Sequence, residues 1–337
     1  MILTYKVKHH RNFSEELRKA KQVAEFAVNH RSFSSKDVKH LGLKSMIANQ
    51  ILRKYGRNRT IKRVTHIKLT VPNQGIKVNP KMCLITVPCL KLSFHYEFPN
   101  HFEKINQIEV GTDYIYVSVS IPEKAPIHPE RYLGVDLNTT GHIMVVADPE
   151  TGKVWKLGKR ADCIHKKYQN HRKKLQKARA FKIVKKVKNR ERRITRDTNH
   201  KISRCLVNLA QQAHCEIKLE NLNGIRKTTK IARSFRYSLH SWSFYQLQQM
   251  IEYKAKLLGI PVVYVDPAYT SQTCSRCGRI GNRTEKVFSC PHCGQVDHAN
   301  VNAAFNIAAR PGRDQSIVER DAMERSPDTL KEAPAGT

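Results

Sequence analysis

Acidic residues are scarce in this chain: 28 Asp and Glu stand against 61 Lys and Arg, a formal charge of +33 over 337 residues. So large a positive excess repels itself in a compact fold unless a polyanion neutralises it. Nucleic acid is the predicted polyanion, and neutralising its phosphates releases counterions, so binding should be steeply salt-dependent. Long apolar runs are also missing. No stretch of about 18 apolar residues exists, which excludes a predicted membrane span. The first residues, MILTYKVKHHRNF, lack the apolar core of a signal peptide. The expected location is therefore cytoplasmic and nucleoid-associated, where thiols stay reduced. Nine cysteines are an odd number for a disulfide framework. Cys83, Cys89, Cys163, Cys205 and Cys215 are scattered and read as ordinary thiols. Hydrophobic residues make up 40% of the chain, enough for a sizeable core in two or three domains.

The hydrophobic period changes twice along the chain. Residues 14 to about 55 read as helical, with Leu17, Ala20, Ala24 and Ala27 on one face and Ile47, Ile51 and Tyr55 on another. Ser14 is the expected cap of the first helix. From about 64 to 121 the period becomes two, through Ile67, Leu69 and Val71, then Leu90 to Phe98, then Ile115 to Ile121. This predicts a barrel-like module over 1–125, with Met1 to Lys8 as a further strand and a helical insert at about 13–60. EKAPIHPERY, 123–132, reads as a linker. Strands are expected at Tyr132 to Leu137, Ile143 to Ala147 and about Val154 to Leu157. About fifty basic, helix-favouring residues follow, then a strand ending at Glu220, a helix at about 241–258, a strand at 261–265 and the helix NVNAAFNIAAR. Residues 311–337 are polar and read as a disordered tail.

The remaining four cysteines form a pattern. Cys274 and Cys277 are two residues apart, as are Cys290 and Cys293, and twelve residues separate the pairs. Each pair lies on a knuckle, TCSRCG or SCPHCG, where a Cys-x2-Cys turn aims two sulfurs at one point and the following Gly permits the tight backbone. Two knuckles supply the tetrahedral thiolate set that structural Zn2+ takes, and the gap fits a β-hairpin. The expected zinc ribbon covers 268–298. His292 and His298 are nearby, but four cysteines already close the site.

Two acids stand out because of where they fall. Asp136 lies inside the apolar strand YLGVDLN, where a carboxylate loses hydration unless a metal or a hydrogen-bond network compensates it. Glu220 ends a second apolar strand. Carboxylates on adjacent strands can hold Mg2+ through oxygen ligands, and a pair of such ions supports phosphodiester cleavage. The bland alternative is that each acid ends a strand or caps a turn. Asp113, Asp148, Asp162, Asp197 and Asp266 have weaker claims.

GVDLNTTGHIMVV, IKLENLNGIR, YTSQTCSRCG…FSCPHCG and DHANVNAAFNIA, in that order, resemble the TnpB family of transposon-encoded proteins, which are similar to the type V CRISPR effectors. The resemblance covers roughly 130–310, and the N-terminal third matches in outline. It implies an RNase H-like (RuvC) nuclease core over 130–310 with the ribbon inserted before the last motif. The implied fold class is thus a multidomain α+β and α/β chain. It also implies a guide RNA made from the transposon end, target DNA, and Mg2+ held by Asp136 and Glu220, the first and second catalytic acids. The third acid of the family falls two residues before the first Asn of NAAxNI, and this chain has Asn300 there. An amide is a neutral ligand, so the departure predicts impaired cleavage. Asp297, three residues earlier, is the acid that could substitute.

Between His165 and Arg193 there are fourteen Lys and Arg and one acid, Glu191. This run, through Lys166, Lys167, Arg172, Lys173, Lys174 and Lys177, predicts a surface that tracks phosphates along a guide–target duplex. Arg193, Arg196, His200, Lys201 and Arg204 extend it at helical spacing. Trp242, Phe244 and Tyr245 are expected in the core rather than stacked on bases. Three functions remain open: a guided DNA-binding protein of nuclease ancestry with cleavage weak or lost through Asn300, an active guided endonuclease using Asp136, Glu220 and Asp297, and a structural zinc-ribbon RNA binder.

Overall fold

The computed structural model describes residues 1–31, 33–58, 60–222 and 244–311. The chain divides into two compact units, Met1–Glu123 and Lys124–Thr337, and the boundary falls at the start of the Pro-containing stretch. The expected disordered tail and Trp242 lie outside the described residues, as does the side chain of Phe244.

In the first unit, β1 (Ile2–Lys8) leads into α1 (Ser14–His30) and α2 (Ser45–Arg57). Helix α1 buries Ala20, Val23, Ala24 and Ala27, the i, i+3, i+4, i+7 stripe of an amphipathic helix. Helix α2 buries Ile47, Ala48, Ile51, Leu52 and Tyr55. The residue before α1 is Phe13, and Ser14 does not cap it. Just outside the helix, Asn12 Oδ1 accepts from the Ser14 backbone N–H at 3.0 Å and from the Ser14 hydroxyl at 2.6 Å.

Six strands follow: β2 (Leu69–Pro72), β3 (Lys77–Asn79), β4 (Leu84–Val87), β5 (Leu92–His95), β6 (Lys104–Val110) and β7 (Tyr114–Ser120). The expected single strand from Leu90 to Phe98 is shorter than its alternation suggests. Pro88–Leu90 forms a 3-10 turn, and Lys91 takes a left-handed backbone (φ 48°) that breaks the ladder before Leu92. The strands form two sheets, β1-β7-β6-β2 and β3-β4-β5, both antiparallel. Among the described residues no ladder joins their edges into a ring.

The second unit is built on a five-stranded sheet of β8 (Arg131–Leu137), β9 (Met144–Ala147), β10 (Val154–Leu157), β11 (Cys215–Glu220) and β12 (Val262–Val265). Its order is β10-β9-β8-β11-β12. The first three strands form an antiparallel meander, while β8–β11 and β11–β12 are parallel. Parallel strands need crossovers, and these carry the helices. Helix α3 (Arg160–Lys177) and helix α4 (Phe181–Ala213) precede β11, and α5 (Phe244–Leu257) precedes β12.

Strand alternation assigns the two faces. Leu133, Val135, Leu137, Met144, Val146, Ile217 and Leu219 join Ile202, Leu206 and Val207 of α4 and Leu247 and Ile251 of α5 in one core. The intervening residues, Gly134, Asp136, Lys218 and Glu220, therefore face the other way. That face is covered by α6 (Ala299–Ala309), whose Val301 and Ala304 pack with Val145 and Ala147. Coverage on both faces explains why β8 is buried without a break from Leu133 to Leu137.

Candidate functional site

Parallel pairing of β8 with β11 sets Leu219 beside Val135, so Glu220 follows onto the level of Asp136. The register brings the two acids together on the α6 side of the sheet. Asp136 is 8% exposed. Burial and the neighbouring Glu220 carboxylate push its pKa up from 3.8 to about 7. Asn138 Nδ2 donates to Asp136 Oδ2 at 2.8 Å, which favours the anion only in part. Glu220 is also raised, by burial, while Thr270, whose hydroxyl donates to Glu220 Oε1, opposes the shift. Asp136 is buried and Glu220 half-buried, and the carboxyls of both are raised, the pattern expected where carboxylates share a site of low solvent access.

Helix α6 packs closely on the same face of the sheet, at Gly134. A Cβ on Gly134 would lie 2.0 Å from the carbonyl oxygen of Ala304 and 2.5 Å from the amide of Ala308, so only glycine fits there. Lys218, buried beside Gly134, donates from Nζ to the carbonyls of Ala308 at 3.0 Å and Arg310 at 2.8 Å. It thus satisfies the C-terminal carbonyls that a helix leaves unpaired, and its ammonium also lies over the Tyr132 ring. With the C-terminus of α6 fixed at the level of Gly134 and Lys218, its N-terminus runs towards Asp136 and Glu220. Val301 is consistent with that direction, since it joins the cluster that contains Val145, the cross-strand neighbour of Asp136. Asn300 precedes it in the first turn and is 2% exposed.

His298 caps α6. Its Nδ1 accepts from the Asn300 backbone N–H at 3.2 Å. Burial, then Lys156 and Lys286, lower its pKa, which keeps the ring neutral and able to accept. His298 thus serves the helix. Asp297 stands in a short strand, its Oδ1 accepting from the His298 N–H at 2.6 Å. The charged groups acting on Asp136 are Glu220, Arg283 and Lys286. Among the described residues, Asp297 forms no converging set with the two acids.

The four cysteines do converge. Their sulfurs all lie within 4.8 Å of one another, with Cys274–Cys293 and Cys277–Cys290 separated by 3.6 Å. A tetrahedral thiolate site with metal–sulfur bonds of about 2.3 Å puts its sulfurs about 3.8 Å apart, so the residues present fit Zn2+. The knuckles repeat one hydrogen-bond scheme. Gly278 N donates to Cys274 O at 2.9 Å and Cys274 N to Arg279 O at 2.8 Å; Gly294 N donates to Cys290 O at 3.0 Å and Cys290 N to Gln295 O at 2.8 Å. Both glycines are left-handed, at φ 74° and 72°. The sheet of β13 (Asn282–Thr284), β14 (Val287–Ser289) and β15 (Val296–His298) supports them.

Several site residues escape a sequence reading. Asn302 and Asn306, one turn apart on α6, hold the segment that enters the first knuckle. Asn302 accepts from Ser275 N at 2.8 Å and donates to Thr273 O at 2.7 Å, while Asn306 donates to Thr270 O at 2.8 Å and Thr273 O at 2.6 Å. Thr270 then reaches Glu220. Arg283 and Lys286, on the ribbon hairpin, bring positive charge to Asp136, and Lys286 Nζ donates to Thr140 O at 3.1 Å. The one sequence signal was the paired Asn of NAAxNI.

The weaker acids have local duties. Asp148 binds Arg131 and Thr151, Asp162 receives Gly141 N and Lys166, Asp197 pairs with Lys201, and Asp266 receives Ala268 N. In the basic run, Lys167, Lys173, Lys174, Lys177, Arg193 and Arg196 are exposed. Arg172 departs from the expectation: it is largely buried against Glu191, which His165 also contacts at 3.0 Å. It joins α3 to α4 instead of facing outwards. Tyr245, expected in the core, is 67% exposed.

Residues 244–307 match the profile of the Cas12f1-like TNB domain. The chain is 45% identical over 126 residues to the CRISPR-associated endodeoxyribonuclease Cas12f1 of Sulfoacidibacillus thermotolerans, covering 36% of this chain and 28% of that protein. Among solved structures, a chain of a CRISPR-Cas12f ternary complex aligns with 89% of this chain and 82% of its own length, at 15% identity and a TM-score of 0.47. The TnpB-like protein MJ0751 of Methanocaldococcus jannaschii is 30% identical over 254 residues, which span 71% of this chain and 88% of that protein. With that extent of identity, the chain belongs to the TnpB family.

Proposed function

We propose that this chain is an RNA-guided DNA-binding protein of endonuclease ancestry whose cleavage is lost at Asn300. The observation that carries this is a neutral amide, buried in the first turn of α6, where the family pattern has an acid, while the buried Asp136 and the half-buried Glu220 interact on the α6 side of the sheet. The order β10-β9-β8-β11-β12 supports an RNase H-like (RuvC) core, with acids on its two central parallel strands. A guide RNA from the transposon end and a matching DNA are the partners that fit the charge of +33. A place in the cytoplasm at the nucleoid follows from a DNA target.

Asp136 and Glu220 would hold a divalent cation, Mg2+ in this family, which when bound polarises a phosphodiester oxygen and activates water. Arg283 and Lys286 lie near these acids and would face an entering phosphate. Asn300 adds no negative charge for a second ion. Removing one charge-stabilising group from such a site costs roughly 100- to 1,000-fold in rate. Asp297 is not assigned as its replacement, because it stands before α6 with Oδ1 accepting from the His298 N–H and forms no converging set with the two acids among the described residues. A purely structural RNA binder gains nothing from a buried Asp136 set against Glu220, a pairing that destabilises a fold that holds no cation. Zn2+ on Cys274, Cys277, Cys290 and Cys293 would be structural, since four protein ligands leave no open position.

The test uses protein purified with its co-expressed RNA, a DNA matching that RNA, and Mg2+. Wild type is expected to bind the DNA without cutting it, and Asn300→Asp to gain cleavage that Asp136→Ala abolishes. Wild-type cleavage lost in Asp136→Ala would overturn the assignment of lost activity. Absence of any specific copurified RNA would overturn guided binding.

A further inference from the structure

We propose that Phe181, backed by Ile183, is a stacking tip that engages an unpaired nucleobase at the end of the basic α3–α4 arm. This rests on the nucleic-acid-binding reading above and adds a contact of a different kind to it.

The arm is defined by where burial stops. Helix α4 is anchored through Asn199, Ile202, Ser203, Leu206, Val207 and Ala210, and N-terminal of these Glu191 is its only buried residue. From Asn199 back to Phe181 is eighteen residues, a projection of roughly 27 Å at 1.5 Å per residue. That reach corresponds to about eight phosphates along one strand. Glu191, the single acid between His165 and Arg193 against fourteen Lys and Arg, is already paired inside the hairpin with Arg172, and Asp162 and Asp197 at the base of the arm pair with Lys166 and Lys201. The outward face therefore carries uncompensated positive charge, and only a polyanion complements it.

The tip is different in kind from the shaft. Arg179 turns left-handed at φ 52°, and Ala180 N donates to Leu175 O at 3.0 Å, so α3 closes and α4 begins within a few residues. Phe181 is the first residue of α4. Helical Cα–Cβ bonds tilt towards the N-terminus, so its ring projects past the end of the arm. Phe181 is 65% exposed and Ile183 is 50% exposed. Lys182, Lys185 and Lys186, all exposed, lie in the same two turns of helix. Large apolar groups at the far end of a cationic arm have no core to join, and a second copy of so basic an arm would be repelled. A base that has left its stack offers the apolar face such a ring needs, while its backbone meets the lysines. RNA and DNA single strands share that chemistry.

The experiment uses the full-length, zinc-loaded protein freed of nucleic acid. The probes are fluorescein-labelled single-stranded 15-mers, as RNA and as DNA, each paired with an abasic version carrying the same phosphates. Affinity is measured over a series of salt concentrations. Phe181→Ala is expected to weaken binding of a base-bearing probe by roughly 5- to 150-fold, with abasic binding and salt slope unchanged. Phe181→Trp is expected to keep the affinity and to show quenched emission on binding. Lys182→Gln is expected to do the reverse of Phe181→Ala, lowering the salt slope by about 0.7 while keeping the preference for bases. An effect confined to one sugar type identifies whether RNA or DNA supplies the base. Equal loss on base-bearing and abasic probes, or no loss, overturns the inference while leaving guided binding intact. Altered sedimentation of Phe181→Ala without a change in base preference overturns it in favour of self-association. If wild type binds none of the probes, the functional reading itself fails.

Discussion

Replacing Asp136 by Asn tests the electrostatics of the site without disturbing its shape. The amide keeps an oxygen to accept from Asn138 but never ionises. In the folded chain the Asp136 carboxyl is raised from 3.8 to about 7 by burial and by Glu220. A raised acid opposes folding once the unfolded chain ionises: the penalty is absent below about pH 4, grows as pH rises, and levels off above about pH 7. At roughly 1.4 kcal/mol per pH unit it amounts to about 4 kcal/mol at full development. Asp136→Asn should therefore match wild type near pH 4 and exceed it by about 4 kcal/mol at neutral pH, roughly 10 °C in the unfolding of the second unit. Glu220 is raised too, so the pair releases its protons jointly and the transition will be broader than that of one group. The assay is thermal unfolding from pH 4 to 8 in Mg2+-free buffer with zinc retained. Adding Mg2+ should then stabilise wild type at pH 7 and leave the variant unmoved, because a cation removes the penalty only where the carboxylate exists. A stability gap that stays constant with pH, or equal Mg2+ stabilisation of both proteins, would refute the reasoning.

Two further perturbations address the scaffold. Cys277 is exposed, so Cys277→Ser removes a ligand without opening a core cavity; zinc content should fall well below one per chain by elemental analysis, and full occupancy would contradict the four-thiolate site. Gly134→Ala drives a methyl group into the backbone of α6 and should cost about 3 kcal/mol or more in denaturant unfolding; wild-type stability would show that α6 can move away from β8.

Patterns set by one element were legible in the sequence. The meander of β8 to β10, the strands ending at Glu220 and Val265, and the cysteine knuckles follow from alternation and spacing that neighbours do not overrule. What stayed hidden depends on partners distant in sequence. The ladder from Leu90 to Phe98 looks continuous as a pattern, but Pro88 and a left-handed Lys91 interrupt it. Arg172 reads like any other cation in its run, and its burial follows from Glu191 nineteen residues on. Tyr245 looks like core by composition but falls on the outer side of its helix. Lys218 would read as an error in a buried strand until the end of α6 supplies two carbonyls for it.

The ribbon and the acid pair form one mechanical assembly. Asn306 holds Thr270, Thr270 holds Glu220, and the ribbon hairpin brings Arg283 and Lys286 to Asp136. None of these links passes through the side chain at position 300. An Asp there would, on the proposed reading, add a third carboxylate near two that already resist ionisation, and Asn, of nearly the same shape, lifts that load when no cation is bound. On the proposed reading, loss of the acid therefore leaves the sheet, the ribbon and the basic arm intact, and it favours the metal-free fold. Asn300→Asp should accordingly be less stable than wild type without Mg2+, and should recover with Mg2+ as cleavage appears. The residue that silences the site would then also relieve it, a route by which a nuclease keeps its grip on nucleic acid after it stops cutting.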